Sequence, residues 1–251
     1  MDKLLEQWKR EEIEPFSGWD FSHLDGRTWS DPMPWSYERI ASALMAQSEA
    51  ALDLGTGGGE RLMAMRDVFP ARVAATEGYE PNFLLAQERL GPLGVQVERA
   101  QDGMENPIPF GSEEFDLVIC RHTAYNIAEV ERILKPGGVF CTQQVSYPDL
   151  ADLQEAFGTE SQWPYWTLQY ALGLLESTSL VVEVAWDWIG KTTFTDVGAV
   201  IYFLKAIPWI VEGFSVDTHL PYLRRLQERL EREGKLMFQT SRMILQVRKA
   251  G

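Results

Sequence analysis

Short apolar runs punctuated by glycine and proline recur through the middle of this chain, and between them apolar residues return at every third or fourth position. The first pattern predicts strands buried on both faces, and the second predicts amphipathic helices. Ala51-Leu52-Asp53-Leu54 is such a run, and it passes through Gly55-Thr56-Gly57-Gly58-Gly59 into the helical pattern Arg61-Leu62-Met63-Ala64-Met65. Further strands are predicted at Arg72-Val73-Ala74-Ala75-Thr76-Glu77, at Val95-Gln96-Val97-Glu98-Arg99, and at Phe115-Asp116-Leu117-Val118-Ile119-Cys120. A helix over 37–47 precedes them, and another ends at Leu134-Lys135-Pro136-Gly137-Gly138 before a strand that runs to Val145. Proline and glycine both stop helices, so that junction is physically sensible. Strand and helix in alternation, joined by short right-handed crossovers, build an α/β fold with a doubly wound, mostly parallel sheet in a three-layer α/β/α arrangement.

Outside this core the pattern changes. Leu4, Trp8, Ile13 and Phe16 form an imperfect helical stripe, and a Gly-, Asp-, Pro- and Ser-rich segment with Trp19, Trp29 and Trp35 follows. We expect residues 1–36 to form an N-terminal helix and aromatic flap, with Arg27, Trp29 and Tyr37 near a ligand; simple packing of the aromatics on the core explains them equally well. Residues 37–251 form the main domain. After Leu150, apolar Leu153, Phe157, Trp166, Tyr170 and Leu174 predict helix, followed by a strand over 180–186 and a last strand over 241–247. Between those strands, 188–240 reads as a helical insertion capping the active site, with helices over 195–209 and 219–233. Its aromatics Phe194, Tyr202, Phe203, Trp209 and Phe214 either line an acceptor cap or attach the insertion to the sheet.

Bulk properties narrow the function classes. With 251 residues, 45% of them hydrophobic, the chain suffices for one sizeable core with an elaboration. No apolar segment approaches a membrane span, and the N-terminal stretch is charged throughout, so a cytoplasmic protein with no membrane partner is expected. The net charge of −14 argues against nucleic acid, whose binding depends on Lys and Arg at phosphates. Arg224, Arg225, Arg229, Arg232 and Lys235 interleave with Glu228, Glu231 and Glu233 at helical spacing, which describes a solvated, salt-bridged face. Cys120 and Cys141 sit in apolar strands as small buried hydrophobes, and His23, His122 and His219 lack zinc-ligand spacing, so no metal site is indicated.

The chemistry concentrates at strand ends. A glycine-dense turn between strand and helix lets backbone approach a ligand and aims helix N–H groups at it. Glu60 stands where a dinucleotide fingerprint needs its third glycine, and no Lys-Ser or Lys-Thr pair completes a phosphate loop there. What remains is Asp53-x-Gly55-x-Gly57-x-Gly59. Glu77 ends the next strand about 20 residues beyond the loop, the separation at which a carboxylate meets ribose hydroxyls. Asp102-Gly103 follows a third strand, Phe115-Asp116 opens a fourth, and Leu134-Lys135-Pro136-Gly137-Gly138 precedes a fifth.

In this order the motifs over about residues 50 to 145 resemble those of the class I S-adenosylmethionine-dependent methyltransferases. The resemblance implies a Rossmann-like sheet with an antiparallel last strand and S-adenosyl-L-methionine as cofactor. It implies cofactor contacts from Asp53, Gly55, Thr56, Gly57, Glu77, Gly78, Asp102, Gly103, Arg121 and His122, with Glu77 at the ribose and Asp102 at the adenine amino group. His122, just past the fourth strand, is the candidate general base; the alternative is that Arg121 and His122 only line the adenine or methionine end. Tyr125, Asn126, Gln143 and Gln144 are candidates to orient an acceptor. The expected reaction is methyl transfer to a small-molecule acceptor by in-line displacement; the alternatives are an RNA or protein methyltransferase and a catalytically silent cofactor-binding protein. The acceptor and the oligomeric state are not legible.

Overall fold

The computed structural model describes residues 3–16, 19–101 and 103–251. In chain order they form α1 (Lys3–Ile13), β1 (Thr28–Ser30), α2 (Tyr37–Met45), β2 (Ala50–Leu54), α3 (Glu60–Ala64), β3 (Arg72–Glu77), α4 (Glu80–Leu90), β4 (Gln96–Arg99) and β5 (Phe115–Arg121). Then follow α5 (Ile127–Ile133), β6 (Leu134–Val145), α6 (Ala151–Ala156), α7 (Leu168–Gly173), β7 (Leu180–Phe194), α8 (Val197–Ala206), α9 (Leu220–Glu233) and β8 (Leu236–Lys249). The chain divides into two compact units, one of Met1–Met33, Ser146–Tyr165 and Trp188–Ser241, the other of Pro34–Val145, Trp166–Asp187 and Arg242–Gly251. No helix among the described residues is long and apolar enough to cross a membrane.

The second unit is the Rossmann-like one. Its strands lie in the order β7-β8-β6-β5-β2-β3-β4. All the pairings among β2 to β6 are parallel, with Leu52 opposite both Ala74 and Val118, whereas β8 runs antiparallel to β6 with Leu245 opposite Thr142. The antiparallel last strand agrees with the expectation from sequence. Every residue of β2 is buried, as a central parallel strand covered on both faces must be. Leu52, Phe115, Val118, Phe140, Met243 and Leu245 form its core, each worth about 1.5–3 kcal/mol on burial. The chain winds outward from β2 through β3 to β4, then returns to the far side of β2 for β5 and β6. The winding therefore reverses between β2 and β5, and an open α/β sheet binds ligands beyond its strand ends at such a reversal.

The first unit has a separate core of Trp8, Leu153, Phe157, Phe194, Val200 and Leu223. Phe194, Tyr202 and Phe214 are buried in it, while Trp209 is 40% exposed. Asp196 caps α8, its side chain accepting the Ala199 amide proton at 2.8 Å. Arg27 donates to Asp196 Oδ1 at 2.7 Å and to Glu11 Oε1 at 2.8 Å, so α1, the β1 approach and the start of α8 share one ion network. On α9, Arg229 and Glu233 pair at helical spacing, as the interleaved charges predict.

Several boundaries differ from those read in sequence: the helical pattern from Leu153 to Leu174 is two short helices, α6 and α7, and the helix read over 195–209 is the shorter α8. The helix before Pro136 ends at Ile133, and Leu134-Lys135-Pro136-Gly137-Gly138 already belongs to β6. β7 continues past Trp186 to Phe194, and β8 starts at Leu236 rather than 241. The extension of β7 is matched by β1, where Trp29 pairs with Thr193 in antiparallel register. A three-residue strand has too little period of its own to show in sequence and exists through this pairing.

Candidate functional site

The β2–α3 loop is shaped by its neighbours. Gly55 has φ +66°, and a Cβ there would stand 2.5 Å from Thr123 Cγ2, so a side chain is excluded twice. Its amide donates to Thr76 Oγ1 at 3.2 Å and the Thr56 amide to the Thr76 carbonyl at 2.9 Å, which ties the loop to the end of β3. Glu77 completes the clamp. Its Oε2 accepts from the Gly57 amide at 2.7 Å and its Oε1 from the Tyr79 amide at 2.8 Å. Charge-assisted bonds of this kind hold the loop and the start of α4 in one geometry. Each carboxylate oxygen keeps further acceptor capacity for hydroxyl donors.

Beside the loop lies a group of buried polar atoms without partners. Tyr37 Oη and Arg121 Nε are buried and make no hydrogen bond among the described residues, and the buried Thr56 Oγ1 has only the Asp53 carboxyl beside it. Buried polar groups are nearly always bonded, so two unbonded ones in one region call for an explanation such as a ligand. Asp53 shares the region: burial, with the Glu77 carboxylate adding to it, pushes its carboxyl up to about 7. Burial and then the Arg61 cation bring the Arg121 guanidinium down to about 10, still charged at neutral pH. Burial and the Asp53 charge hold the Tyr37 phenol well above its usual range, so it remains a donor. The site thus offers a carboxyl group poised to ionise, a cation and two hydroxyls at the reversal point of the sheet.

A cavity of about 20 Å³, room for about one water, opens next to this group and is lined by Leu54, Thr76, Gly103, Asn106, Ile108 and Tyr125. Gly103 is part of that lining, and its neighbour Asp102 lies outside the described residues. Tyr125 reaches the cavity but packs its ring on Phe140 and Trp166, and its buried hydroxyl has no partner among the described residues. Asn126 also lines the cavity, and its Oδ1 caps α5 by accepting from the Ala128 amide at 3.1 Å.

His122 and the two glutamines of β6 behave differently from one another. His122 has φ +57°, a strained conformation for a non-glycine residue, and its amide continues the ladder by donating to the Gln143 carbonyl at 2.9 Å. Its Nε2 lies 3.2 Å from Gln143 Nε2, and Gln143 Oε1 accepts from Trp35 Nε1 at 2.9 Å. Crowding by protein atoms, followed by the positive charges of Arg121, Arg242 and Arg61, holds the imidazole well below its usual range. Gln144, one position on, turns its amide inward to Thr142 Oγ1 at 2.8 Å and the Thr123 carbonyl at 3.0 Å.

The structure thus brings Asp53, Gly55, Thr56, Gly57, Glu77 and Arg121 together around one reversal point, with Gly78 just past Glu77. Sequence reasoning missed Trp35, Thr76, Arg61 and Arg242. Only Thr76, one residue before the acidic strand end, carried a positional signal. Arg27 is held in the ion network of the first unit.

Residues 52–142 match the methyltransferase domain family. An uncharacterized methyltransferase of Synechocystis sp. is 28% identical over 210 residues, covering 70% of this chain and 84% of that protein. The uncharacterized methyltransferase YcgJ of Bacillus subtilis is 30% identical over 111 residues, covering 40% of this chain and 42% of that protein. Among solved structures, a Bacillus halodurans protein assigned as a methyltransferase superposes with a TM-score of 0.59 at 20% identity, covering 85% of this chain and 97% of that one.

Proposed function

We propose that this chain, which carries a class I methyltransferase domain, is an S-adenosylmethionine-dependent methyltransferase acting on a small-molecule acceptor. The observation that carries the cofactor assignment is the two buried, unpaired atoms Tyr37 Oη and Arg121 Nε beside Asp53 and Thr56, at the switch point between β2 and β5. A zwitterionic amino-acid end carries an ammonium for the Asp53 carboxylate and a carboxylate for the Arg121 guanidinium, so the residues fit the group. Glu77 would take the ribose hydroxyls and the cavity at Gly103 the edge of the adenine.

Bound there, the cofactor supplies an activated methyl group on a sulfonium. The protein's part is alignment: acceptor, methyl carbon and sulfur must fall in line, and fixing that geometry removes much of the entropic barrier. The clamped loop supplies a rigid seat on one side. His122 lies past the end of β5 and would contact the acceptor, with the Gln143 side chain of β6 behind it. The strongly acidic composition favours a small molecule over a phosphate backbone.

Calorimetric titration with S-adenosylmethionine, S-adenosylhomocysteine and NAD tests the assignment. Binding of both sulfur ligands without NAD supports it. Preference for NAD, or binding of none of the three, contradicts it, and salt-sensitive retention on RNA would contradict the small-molecule acceptor.

A further inference from the structure

Three bonded groups beyond the cofactor cluster determine one another's protonation. The indole Nε1–H of Trp35 is a donor and nothing else, so the Gln143 atom at 2.9 Å from it must be the amide oxygen. That fixes the flip of a side chain whose two ends otherwise look alike. The Gln143 NH₂ then faces His122 Nε2 at 3.2 Å and donates. Two donors cannot face each other at that distance, so His122 Nε2 carries its lone pair and the ring proton sits on Nδ1.

Trp35 and Gln143 are both buried, 8% and 1% exposed, and so keep this chain in place. Trp35 also packs against Trp186, with ring centroids 6.4 Å apart. His122 is gripped a second time through its backbone, its amide bonded to the Gln143 carbonyl in the left-handed conformation. Nδ1 makes no hydrogen bond among the described residues, and the residue as a whole is exposed. A strained backbone, a fixed ring nitrogen and a free opposite edge together describe a group held for something outside the protein.

We propose that Trp35 and Gln143 are positioning residues that lock His122 in the neutral Nδ1–H tautomer, so that the site presents a hydrogen-bond donor to an oxygen of the methyl acceptor rather than a general base. The one lone pair of the neutral ring is already engaged by Gln143, which leaves none for a substrate proton. The role toward the acceptor rests on the methyl-transfer reading above; the tautomer does not.

Long-range proton–nitrogen NMR on histidine-labelled protein, with His122 assigned by the loss of its signals in His122→Asn, reads the tautomer without cofactor or acceptor. In the wild type, Nδ1–H should exceed Nε2–H by about tenfold or more at neutral pH, the ratio that one additional hydrogen bond supports. Trp35→Phe, which frees the Gln143 amide to flip, should lower that ratio at least about threefold, and Gln143→Glu should reverse it because a carboxylate only accepts. A wild-type ring protonated mainly at Nε2, or a ratio unmoved in a folded Trp35→Phe variant, overturns the inference. Because the wild-type spectrum alone suffices, a variant that fails to fold does not rescue it, and a correct tautomer in a protein that binds no sulfur ligand would overturn only the functional reading.

Discussion

Arg27 and Arg121 are the same side chain in two regions treated in opposite ways. In the first unit Arg27 is bidentate to Asp196 and bonded to Glu11, and the Asp196 hydrogen bond leads the causes that raise its guanidinium above the usual value. In the second unit Arg121 is more than half enclosed, makes no ion pair among the described residues, and is brought down to about 10. A fold that can satisfy arginine fully in one place and leaves another without a partner is tolerating a cost there. Partnered polar groups mark structure, and unpartnered ones at a sheet reversal mark a ligand site.

The comparison breaks most readily through Arg27. Arg27→Met leaves Glu11 and Asp196 facing each other without their cation; stability should fall by about 2–3 kcal/mol, less than for a fully buried pair because the network is partly solvated. Arg121→Met, by contrast, should change stability by no more than about 1 kcal/mol, since no native partner is lost. Urea unfolding of the two variants side by side checks both values, and equal losses would erase the distinction.

Glu77→Ala comes next. It should weaken S-adenosylmethionine binding by about 1–3 kcal/mol through lost charge-assisted bonds and a loosened loop, read by calorimetry. An unchanged dissociation constant would remove Glu77 from the ribose.

Asp53 sharpens the contrast through pH. Its folded value near 7 exceeds the usual 3.8 of the unfolded chain, so between those values the folded state holds a proton that the unfolded state has lost. Its contribution to stability is therefore full below about pH 4 and declines as pH rises toward 7. Asp53→Asn should flatten that part of the stability profile and be more stable than the wild type at pH 8 by about 1–2 kcal/mol. Urea midpoints at pH 5 and pH 8 decide it, and an unaltered slope would mean Asp53 is not the group responsible. The smallest effect belongs to the surface pair on α9, where Glu233→Gln should leave the urea midpoint unmoved because exposed ion pairs contribute little.

The parts of this molecule legible in sequence were those with a strong local cause. β3 falls on Arg72–Glu77 as read, because the short apolar run Val73-Ala74-Ala75 between Arg72 and a strand-end carboxylate is a strong strand signal. The glycine loop was legible because Gly55 has no alternative residue at that φ beside Thr123. β1 and the outer half of β7 were not, since Gly190 and Lys191 have the composition of a turn, and the pairing that extends β7 joins residues 192–194 to 28–30, more than a hundred positions away. In the site, strand-end residues could be placed by counting, but the bond from Trp35 to Gln143 spans 108 residues and has no local trace. Gln144 shows the limit of counting: it adjoins Gln143 in sequence, and the alternation of a strand turns its amide to a different set of partners.

The central claim is that the unpartnered group around Arg121 is the cofactor site, and the dissociation constant of S-adenosylmethionine for Arg121→Met and Arg27→Met tests it most directly. The account predicts at least about tenfold weaker binding for Arg121→Met, equivalent to one lost charge-assisted bond, and wild-type affinity for folded Arg27→Met. Wild-type affinity in Arg121→Met would contradict it.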